Sequence, residues 1–405
     1  MGKRSIADLD VAGKRVLVRV DFNVPLDGGR ITDDRRIRAA LPTVRSILER
    51  GGRAVLMSHL GRPEGAGFEA EFSLRPVSAR LADLLGDAAP RGVAFPSEDC
   101  VDHAAAEAVA AMADGDVVLL ENLRFHKGEK KGDGGFAGKL ASLGDAYCND
   151  AFGTCHRTDA SMFAVPMAMK PRPAVAGFLL EAELQYLQDA VANPGRPFVA
   201  ILGGAKVSDK LGAIRNLLQK VDTLVIGGAM AYTLLSAKGV EVGASRVEPA
   251  MREEAEEVLT LANALGKRIL LPTDHVCGQA FESGTPTRTV EDGIPSGWMG
   301  LDIGPRTAAE FARTIVAART VVWNGPMGVF EMPPFDAGTK AVAEALKAAA
   351  TAAGATPIAG GGDTAAAVEV FGVADRLSHV STGGGASLEM LEGRHFESLD
   401  ALDEA

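Results

Sequence analysis

The sequence predicts an α/β protein with two doubly wound parallel-sheet (Rossmann-like) domains joined by an interdomain helix. A chain of 405 residues is too long for one ordinary hydrophobic core. Short β-branched runs alternate with Ala-rich amphipathic stretches, a pattern that predicts parallel sheets covered by helices. One helical stretch, which ends at Pro194-Gly195, separates two such series. The expected segments are an N-terminal domain at 1–176, an interdomain helix and hinge at 177–195, a C-terminal domain at 196–390 and a tail at 391–405.

The individual elements follow from the same alternation. Ten runs rich in β-branched and other apolar residues are predicted to be strands, at 15–20, 53–58, 116–121, 145–150, 198–202, 223–227, 268–272, 320–324, 356–360 and 379–382. Five helices are predicted between them, at 37–50, 102–113, 210–219, 249–265 and 338–353. No period of roughly 20–50 residues recurs, which excludes a solenoid.

The charge distribution argues against a nucleic-acid partner. The net charge is −11, and it arises entirely after residue 180: residues 1–180 carry 24 basic and 24 acidic side chains, whereas 181–405 carry 18 and 29. Binding nucleic acid requires a basic surface. No apolar run reaches the roughly 18 residues that a membrane span needs, and the N-terminus lacks an apolar signal core. We therefore expect a cytoplasmic protein with no nucleic-acid or membrane partner.

The four cysteines are Cys100, Cys148, Cys155 and Cys277. They form no C-x-x-C pair and have no metal-ligand spacing in the sequence. We expect reduced, buried thiols.

In the first half, polar and cationic side chains follow the predicted strands. Ligands of open parallel sheets bind beyond the carboxyl ends of the strands, so these positions are the informative ones. They are Asp21, Asn23, His59, Arg62, Arg124, His156 and Arg157, with Arg36 at the start of a helix. Guanidinium groups grip phosphate and carboxylate through two parallel hydrogen bonds. We interpret the set as a pocket for a small phosphorylated carboxylate. Taken one at a time, each arginine could instead be an ordinary surface residue, each histidine a structural one, and Asp21 a turn or cap residue.

In the second half, the predicted strands are followed by glycine. Five such loops occur, at 203–210, 227–230, 324–331, 360–365 and 383–387. Glycine lets the backbone approach a phosphate closely, and a helix N-terminus behind the loop favours the anion. Lys206 and Lys210 lie four residues apart in the first loop, which does not fit the Walker pattern. These loops predict a nucleotide site.

The loop 360–365, "GGGDTA", adds a carboxylate and a hydroxyl. Asp363 can hold Mg²⁺ by oxygen coordination, and Thr364 can donate to a phosphate; the alternative is that both cap the following helix. The loop also satisfies G-x-G-x-x-G/A. An NAD site needs an acidic residue about 20 positions further on. There the chain reads "VSTGGGAS", so a dinucleotide-dependent oxidoreductase is disfavoured.

Seven strings together resemble the phosphoglycerate kinase family in order and spacing, from about Ile6 to Gly393: "VLVRVDFNVP", "SHLGRP", "ENLRF", "GGAKVSDK", "VWNGPMGVFE", "GGGDTA" and "STGGGAS". The resemblance implies reversible transfer of a phosphoryl group from 1,3-bisphosphoglycerate to MgADP, giving 3-phosphoglycerate and MgATP. It implies small-molecule substrates, a monomer, and a tail that packs on the first domain. The alternative is a non-catalytic nucleotide-binding scaffold of the same fold.

The resemblance also assigns residues. The glycerate is expected on the N-terminal domain, at Asp21, Asn23, Arg36, His59, Arg62, Arg124, His156 and Arg157. The nucleotide is expected on the C-terminal domain, at Gly203, Lys206, Lys210, Gly227, Asn324, Glu331 on the ribose, Gly361, Gly362, Asp363 on the magnesium, and Thr364. Arg36, Lys206 and Gly384 are the expected catalytic residues. No general base is expected, because the attacking group is already an anion.

One position departs from the family pattern. Where the family commonly reads "GTAHRAHAS", this chain reads "GTCHRTDAS" at 153–161, so that Asp159 replaces a histidine. A carboxylate repels an anionic substrate. We therefore expect the Asp159 side chain to turn away from the pocket.

Overall fold

The computed structural model describes residues 2–405, apart from the side chains of 188–190 and 352–353. Two compact units make up the chain. The first comprises the chain up to Glu183 together with His395–Ala405, and the second comprises Leu184–Arg394. The C-terminal residues thus belong to the first unit, and the division falls inside the segment 177–195 that the sequence predicts as one helix.

The first unit is built on a six-stranded parallel sheet and one short hairpin. Its strands are β1 (Arg15–Val20), β2 (Leu26–Asp27), β3 (Arg30–Ile31), β4 (Arg53–Met57), β5 (Val93–Ala94), β6 (Val117–Leu119), β7 (Ala146–Asp150) and β8 (Ala174–Ala176). The sheet order is β5-β6-β4-β1-β7-β8, and β2 pairs with β3 in the hairpin. The sheet strands are apolar and buried along most of their length, as parallel strands covered by helices require.

The longer helices of the first unit bury apolar stripes in its core. They are α1 (Arg35–Glu49), α2 (Arg75–Leu85), α3 (His103–Ala110), α4 (Lys127–Lys130), α5 (Gly134–Ala141), α6 (Ala164–Met169) and α7 (Phe178–Glu183). In α1, Ile37, Val44 and Ile47 recur at helical spacing and are fully buried. The Asp102 side chain caps α3 by accepting from Ala105 N at 2.8 Å.

The second unit has the strand order of a dinucleotide-binding fold. Its strands are β9 (Phe198–Leu202), β10 (Thr223–Ile226), β11 (Arg268–Leu270), β12 (Asp274–Gly278), β13 (Thr287–Glu291), β14 (Met299–Ile303), β15 (Thr320–Asn324), β16 (Thr356–Ala359) and β17 (His379–Val380). The parallel sheet has the order β11-β10-β9-β15-β16-β17. From β9 the strands β10 and β11 are added toward one edge of the sheet, and from β15 the strands β16 and β17 are added toward the other edge. The switch point therefore lies between β9 and β15.

The helices of the second unit connect these strands. They are α8 (Ala190–Ala192), α9 (Leu211–Leu218), α10 (Met230–Ala237), α11 (Arg252–Ala264), α12 (Pro305–Val316), α13 (Ala337–Ala353), α14 (Gly362–Val370) and α15 (Gly384–Leu391); the last helix of the chain, α16 (Glu397–Asp400), lies in the first unit. The two parallel sheets with their connecting helices confirm the predicted fold class.

Two features differ from the expected elements. The segment 177–195 contains α7, a π-helical stretch over Leu184–Asp189 and α8 in place of one regular helix. The sequence analysis also missed a three-stranded antiparallel sheet of order β13-β12-β14. Its strands do not read as apolar runs, because β13 is largely exposed and β12 contains the charged residue Asp274.

None of the helices in the described part of the chain is both long enough and apolar enough to cross a membrane.

Candidate active site

A cluster of cationic side chains lies at the carboxyl edge of the sheet of the first unit. Asp21 follows β1, His59 follows β4, Arg124 follows β6, and His156 and Arg157 come shortly after β7. Because β1 and β7 are neighbours at the switch point of this sheet, side chains that are distant in sequence meet here.

Arg36 is held by the loop that follows β1. Its Nη1 donates to Asp21 Oδ2 at 3.0 Å and to the main-chain oxygen of Asn23 at 3.1 Å. Asn23 Oδ1 in turn accepts from Gly61 N at 2.9 Å, which fixes the loop after β1 against the loop after β4. The Arg36 side chain is about one-third exposed, so the buried Asp21 orients a guanidinium that still reaches solvent.

His59 lies within this cluster and is only 1% exposed. Its Nδ1 lies 3.1 Å from Nη2 of Arg19, a side chain that is fully buried in β1. Burial, reinforced by the charges of Arg19, Arg124, Arg157 and Arg36, holds the pKa of His59 well below its usual range. An arginine can only donate, so Nδ1 accepts and the proton of the neutral ring is on Nε2.

Arg124 is buried, and only part of its hydrogen-bonding capacity is used. Nη1 donates to the main-chain oxygen of Gly61 at 2.8 Å, while Nε is buried without a hydrogen-bond partner. Burial, followed by the charge of Arg157, lowers the pKa of the Arg124 guanidinium. A buried, unpaired donor on a cation is a costly arrangement that a bound anion relieves.

The expectation that Asp159 turns away from the pocket is wrong. Asp159 is 7% exposed, and its Oδ2 lies 3.7 Å from Arg124 Nη2. Asp159 lies on a turn in which its main-chain oxygen accepts from Met162 N at 2.9 Å and from Phe163 N at 3.1 Å. The turn holds the Cα and Cβ atoms of Asp159 in place.

The other predicted residues of the first unit lie at the rim. Arg157 Nε donates to His156 Nε2 at 3.2 Å, and both side chains are half-buried. Arg62 is exposed and forms no hydrogen bond or ion pair among the described residues.

The sequence analysis did not select two buried residues that support the cluster. Arg19 Nε donates to Ser161 Oγ at 2.8 Å, and the buried carboxylate of Glu129 binds both the main-chain nitrogen and the hydroxyl of Ser161. The only signal in the sequence is an arginine at an inward position of the apolar strand "RVLVRV". Alternation alone does not distinguish such a residue from one at a solvent-facing position.

In the second unit, four of the five predicted glycine loops, all but 227–230, meet around a polar cavity of about 260 Å³ at the switch point between β9 and β15. It is lined by Gly203, Gly204, Ala205, Lys206, Asp209, Lys210, Asn324, Gly325, Gly361, Gly362, Asp363, Thr364 and Gly384. The helices α14 and α15 begin at two of these residues, so their N-terminal amides and positive dipole ends lie at the cavity. This arrangement suits phosphate.

Close backbone packing explains the glycines after β9. Gly203 N donates to Asn324 O, and Gly204 N donates to Pro326 O, both at 3.0 Å. A Cβ atom on Gly203 would collide with the carbonyl oxygens of Gly325 and Pro326. The strand ends of β9 and β15 therefore touch, and only glycine permits this contact.

Lys210 and Thr364 hold the floor of the polar cavity. The buried Lys210 Nζ donates to Asn324 O at 2.9 Å and also bonds Asn324 Oδ1. Burial lowers the pKa of Lys210 to about 8, against the opposing effect of Asp363 and Asp209. Thr364 Oγ1, fully buried, accepts from Gly325 N at 2.7 Å. The Thr364 oxygen thus orders the loop after β15, and the hydroxyl proton is left to donate.

Lys206 is exposed at the cavity and forms no hydrogen bond or ion pair among the described residues. The turn beside it is fixed by Glu248, whose carboxylate accepts from Val207 N at 2.6 Å and from Ser208 N at 3.1 Å. Glu248 was not predicted from the sequence, because it lies about 40 residues away, shortly before α11, and no motif marks it.

An apolar cavity of about 500 Å³ adjoins the polar one, since Gly204, Ala205 and Asp363 line both. Its other walls include Tyr232, Met299, Leu301, Met327 and Val329, with Arg246, Phe281 and Glu331. Its size and apolar lining suit the base and ribose of a nucleotide. Glu331 lies here, as expected for a ribose contact. Gly227 does not line it: Gly227 lies against Met327, and the adjacent Gly228 faces the cavity.

The donor set at the junction of the two cavities fits Mg²⁺. Asp363 is exposed there and forms no hydrogen bond or ion pair with the described residues, so its carboxylate oxygens are available. Mg²⁺ prefers oxygen ligands and is commonly held by one or two carboxylates together with substrate phosphates. One free carboxylate beside a phosphate-sized cavity meets that requirement.

All four cysteines are free and buried. Folding brings Cys100 to within 4.8 Å of Asp99 and His126, a grouping that the sequence spacing does not reveal. His126 Nε2 and Asp99 Oδ1 lie 3.0 Å apart and satisfy each other as a hydrogen-bonded pair. A metal ion is not needed to explain this group.

Comparison with known proteins identifies the family. The family model described as phosphoglycerate kinase matches residues 6–394. Phosphoglycerate kinases from Rhodopirellula baltica and Chloroflexus aurantiacus are 55% and 54% identical, over 100% of this chain and of theirs. Solved phosphoglycerate kinases from Coxiella burnetii and Pyrococcus horikoshii superpose with TM-scores of 0.87 and 0.83, at 38% and 30% identity and 98% coverage of both chains. The chain belongs to the phosphoglycerate kinase family.

Proposed function

We propose that the chain catalyses the reversible, Mg²⁺-dependent transfer of a phosphoryl group between 1,3-bisphosphoglycerate and ADP, giving 3-phosphoglycerate and ATP. The observation that carries this proposal is the pairing, in the second unit, of a phosphate-sized polar cavity with an adjoining apolar cavity at the switch point of the sheet. The arginine cluster of the first unit supplies a complementary site for a small anion.

In the first unit, the glycerate is bound by guanidinium groups and by neutral His59. Arg36 is oriented by Asp21, and Arg124 retains a buried donor, so both are prepared to bind phosphate or carboxylate oxygens. Arg62 and Arg157 complete the cationic rim, and Asn23 fixes the loop against Gly61. His59 donates from Nε2 without carrying a charge, because Arg19 occupies Nδ1.

In the second unit, the base and ribose occupy the apolar cavity beside Glu331, and the phosphates occupy the polar cavity. The α14 and α15 amides at Gly362 and Gly384 face the phosphates, and Lys210 holds the cavity floor through Asn324. Asp363 would hold Mg²⁺, which would neutralise phosphate charge when bound.

The transfer itself needs positioning and positive charge more than covalent chemistry. Lys206 has no competing partner and is free to follow the transferred group, and we assign Arg36 the corresponding role on the glycerate side. No general base is required, since an ADP phosphate or a carboxylate is already nucleophilic. The reaction further requires the two sites to meet and exclude water, which we assign to closure about a hinge within 177–195.

We also propose that the protein acts as a cytoplasmic monomer on small-molecule substrates, without a nucleic-acid or membrane partner. The acidic net charge supports this. Light scattering coupled to size exclusion tests the monomer directly, with a mass of 42.1 kDa expected.

The deciding experiment follows NADH oxidation with 3-phosphoglycerate, MgATP and excess glyceraldehyde-3-phosphate dehydrogenase. Turnover should require both substrates and magnesium. Lys206→Ala should lower kcat by about 10²–10³, as expected for loss of a transition-state donor. Lys238→Ala, an exposed lysine outside the cavities, serves as the matched control. Folded wild-type protein that binds MgADP but shows no turnover would instead identify a non-catalytic scaffold.

A further inference from the structure

We propose that Asp159 sets the affinity of the arginine cluster for the glycerate substrate by placing a fixed negative charge beside Arg124. Asp159 then acts as an affinity- and specificity-determining residue: it balances the cationic cluster in the free protein and weakens the binding of highly charged anions. This inference rests on the proposed function of the cluster as the glycerate site.

The distance between the two side chains is the first observation. Asp159 Oδ2 lies 3.7 Å from Arg124 Nη2, which is within ion-pair range but beyond a hydrogen bond. Asp159 Oδ2 and Arg124 Nε are both buried without a hydrogen-bond partner among the described residues. A purely structural ion pair closes to a short bidentate contact, because buried charges otherwise remain unsatisfied. Here the charges face each other while Arg124 Nε stays open.

The second observation is that the main chain carrying Asp159 is held in place. Its main-chain oxygen accepts from Met162 N at 2.9 Å and from Phe163 N at 3.1 Å. The next residue, Ala160, donates from its main-chain nitrogen to Glu129 O at 2.7 Å. The backbone is therefore anchored at Asp159 and at the next residue, which keeps the Cα and Cβ atoms of Asp159 at the edge of the cluster.

The charges around Asp159 determine the sign of its effect. Asp159 pairs with Arg124, whose charge also interacts with that of Arg157. The nearby acidic group is Glu129, whose carboxylate accepts from the Ser161 hydroxyl. In the free protein Asp159 offsets the mutual repulsion of the arginines. When an anion binds, the same carboxylate repels it. A unit charge about 5 Å away changes an anion's affinity about fourfold even at the dielectric constant of water, and more in a buried site.

The test compares Asp159→Asn and Asp159→His with the wild-type protein. Asn keeps the shape and removes the charge, and His supplies the side chain that the family pattern carries. Calorimetry measures the Kd of 3-phosphoglycerate without nucleotide, and the coupled assay measures KM for each substrate. Asp114→Asn, an exposed aspartate paired with Arg53, is the control that makes the same change in net charge elsewhere in this unit.

Both Asp159 variants should tighten 3-phosphoglycerate binding by about fourfold or more at low salt. The gain should shrink at 0.5 M salt, because the interaction is screened, while KM for MgATP stays unchanged. A weaker Kd in Asp159→Asn would show that the carboxylate orients Arg124 for binding and would overturn the proposal, as would an unchanged Kd. If one variant fails to fold, judged by circular dichroism, the other decides.

The two proposals fail in distinguishable ways. Wild-type protein that turns over while Asp159→Asn binds no tighter would refute only the role of Asp159. Wild-type protein that neither binds 3-phosphoglycerate nor turns over would refute the proposed function and, with it, the basis of this inference.

Discussion

Lys210 and Asn324 join the two strand ends that form the proposed nucleotide site: Lys210 Nζ donates to the main-chain oxygen of Asn324 at 2.9 Å and also bonds its side-chain Oδ1. The contact links the loop after β9 to the end of β15, across the switch point of the sheet. It also directs Asn324 Nδ2 toward Gly361, where this buried donor has no hydrogen-bond partner among the described residues. An anion in the cavity would satisfy it.

The pKa of about 8 for Lys210 predicts proton uptake on nucleotide binding. Burial favours the neutral amine of Lys210, whereas a bound phosphate favours the ammonium. Above pH 8, Lys210 therefore takes up a proton from solution when the nucleotide binds. With this pKa, uptake should approach about 0.9 proton per ADP at pH 9 and fall to about 0.1 at pH 7. Calorimetry in buffers of different ionisation enthalpy measures it. Lys210→Met should abolish the uptake and Lys238→Met should preserve it; uptake that persists in Lys210→Met would refute the assignment.

Replacing Thr364 by Val should destabilise the loop after β15. The change leaves Gly325 N–H buried without its acceptor, which costs about 1–3 kcal/mol. Thr364→Ser keeps the oxygen and should recover most of the loss. Thermal unfolding with and without MgADP separates the effect on the fold from the effect on binding. Equal stability of the Val and Ser variants would show that the hydroxyl does not support the loop.

Gly228 should tolerate no side chain. Its φ is +66°, and a Cβ atom would lie 2.6 Å from Gly204 O and 2.9 Å from Pro326 O, at the junction of the two cavities. Gly239 has a similar φ of +80° but open space around it, so Gly239→Ala isolates the backbone strain of about 1–2 kcal/mol. Gly228→Ala should lower the melting temperature further and weaken ADP binding more than about tenfold, as a loss of about 1.4 kcal/mol implies. Thermal unfolding and calorimetry compare the melting temperatures and the ADP affinities of Gly228→Ala and Gly239→Ala. Equal losses in the two variants would contradict the steric argument.

His59 should remain neutral through the physiological pH range, because burial and four arginines lower its pKa. The unfolded chain protonates this histidine below about pH 6.5 and the folded one does not, so the free energy of unfolding falls as the pH drops. Between pH 7.5 and 5.5 the loss from this residue is about 1.4 kcal/mol. The His59 ring resonances, assigned by comparison with His59→Gln, should not move over this range. A titration midpoint near 6.5 would refute a buried neutral ring.

The fold class could be predicted because periodicity is local. Apolar runs of four to six residues and helical stripes such as that of α1 need no tertiary information, and they located every long strand of both parallel sheets. The small antiparallel sheet was not predicted, because the side chains of β13 are largely exposed and form no apolar face. The helix at 177–195 was predicted as continuous, since nothing in its sequence marks the π-helical stretch over Leu184–Asp189.

The residue types at the strand ends follow directly from the order of the amino acids: arginines in the first half and glycines with lysines in the second. Parallel topology then brings strand ends together, so the site could be anticipated from composition at those positions alone. How each group is held becomes visible only in the folded chain. The donor that fixes the His59 tautomer is Arg19, the support for the lysine loop is Glu248, and the main chain that carries Asp159 is held by the turn at 159–163. Each of these depends on contacts with residues, or on a backbone path, that no sequence spacing encodes, because burial and hydrogen-bond geometry exist only once the chain has folded.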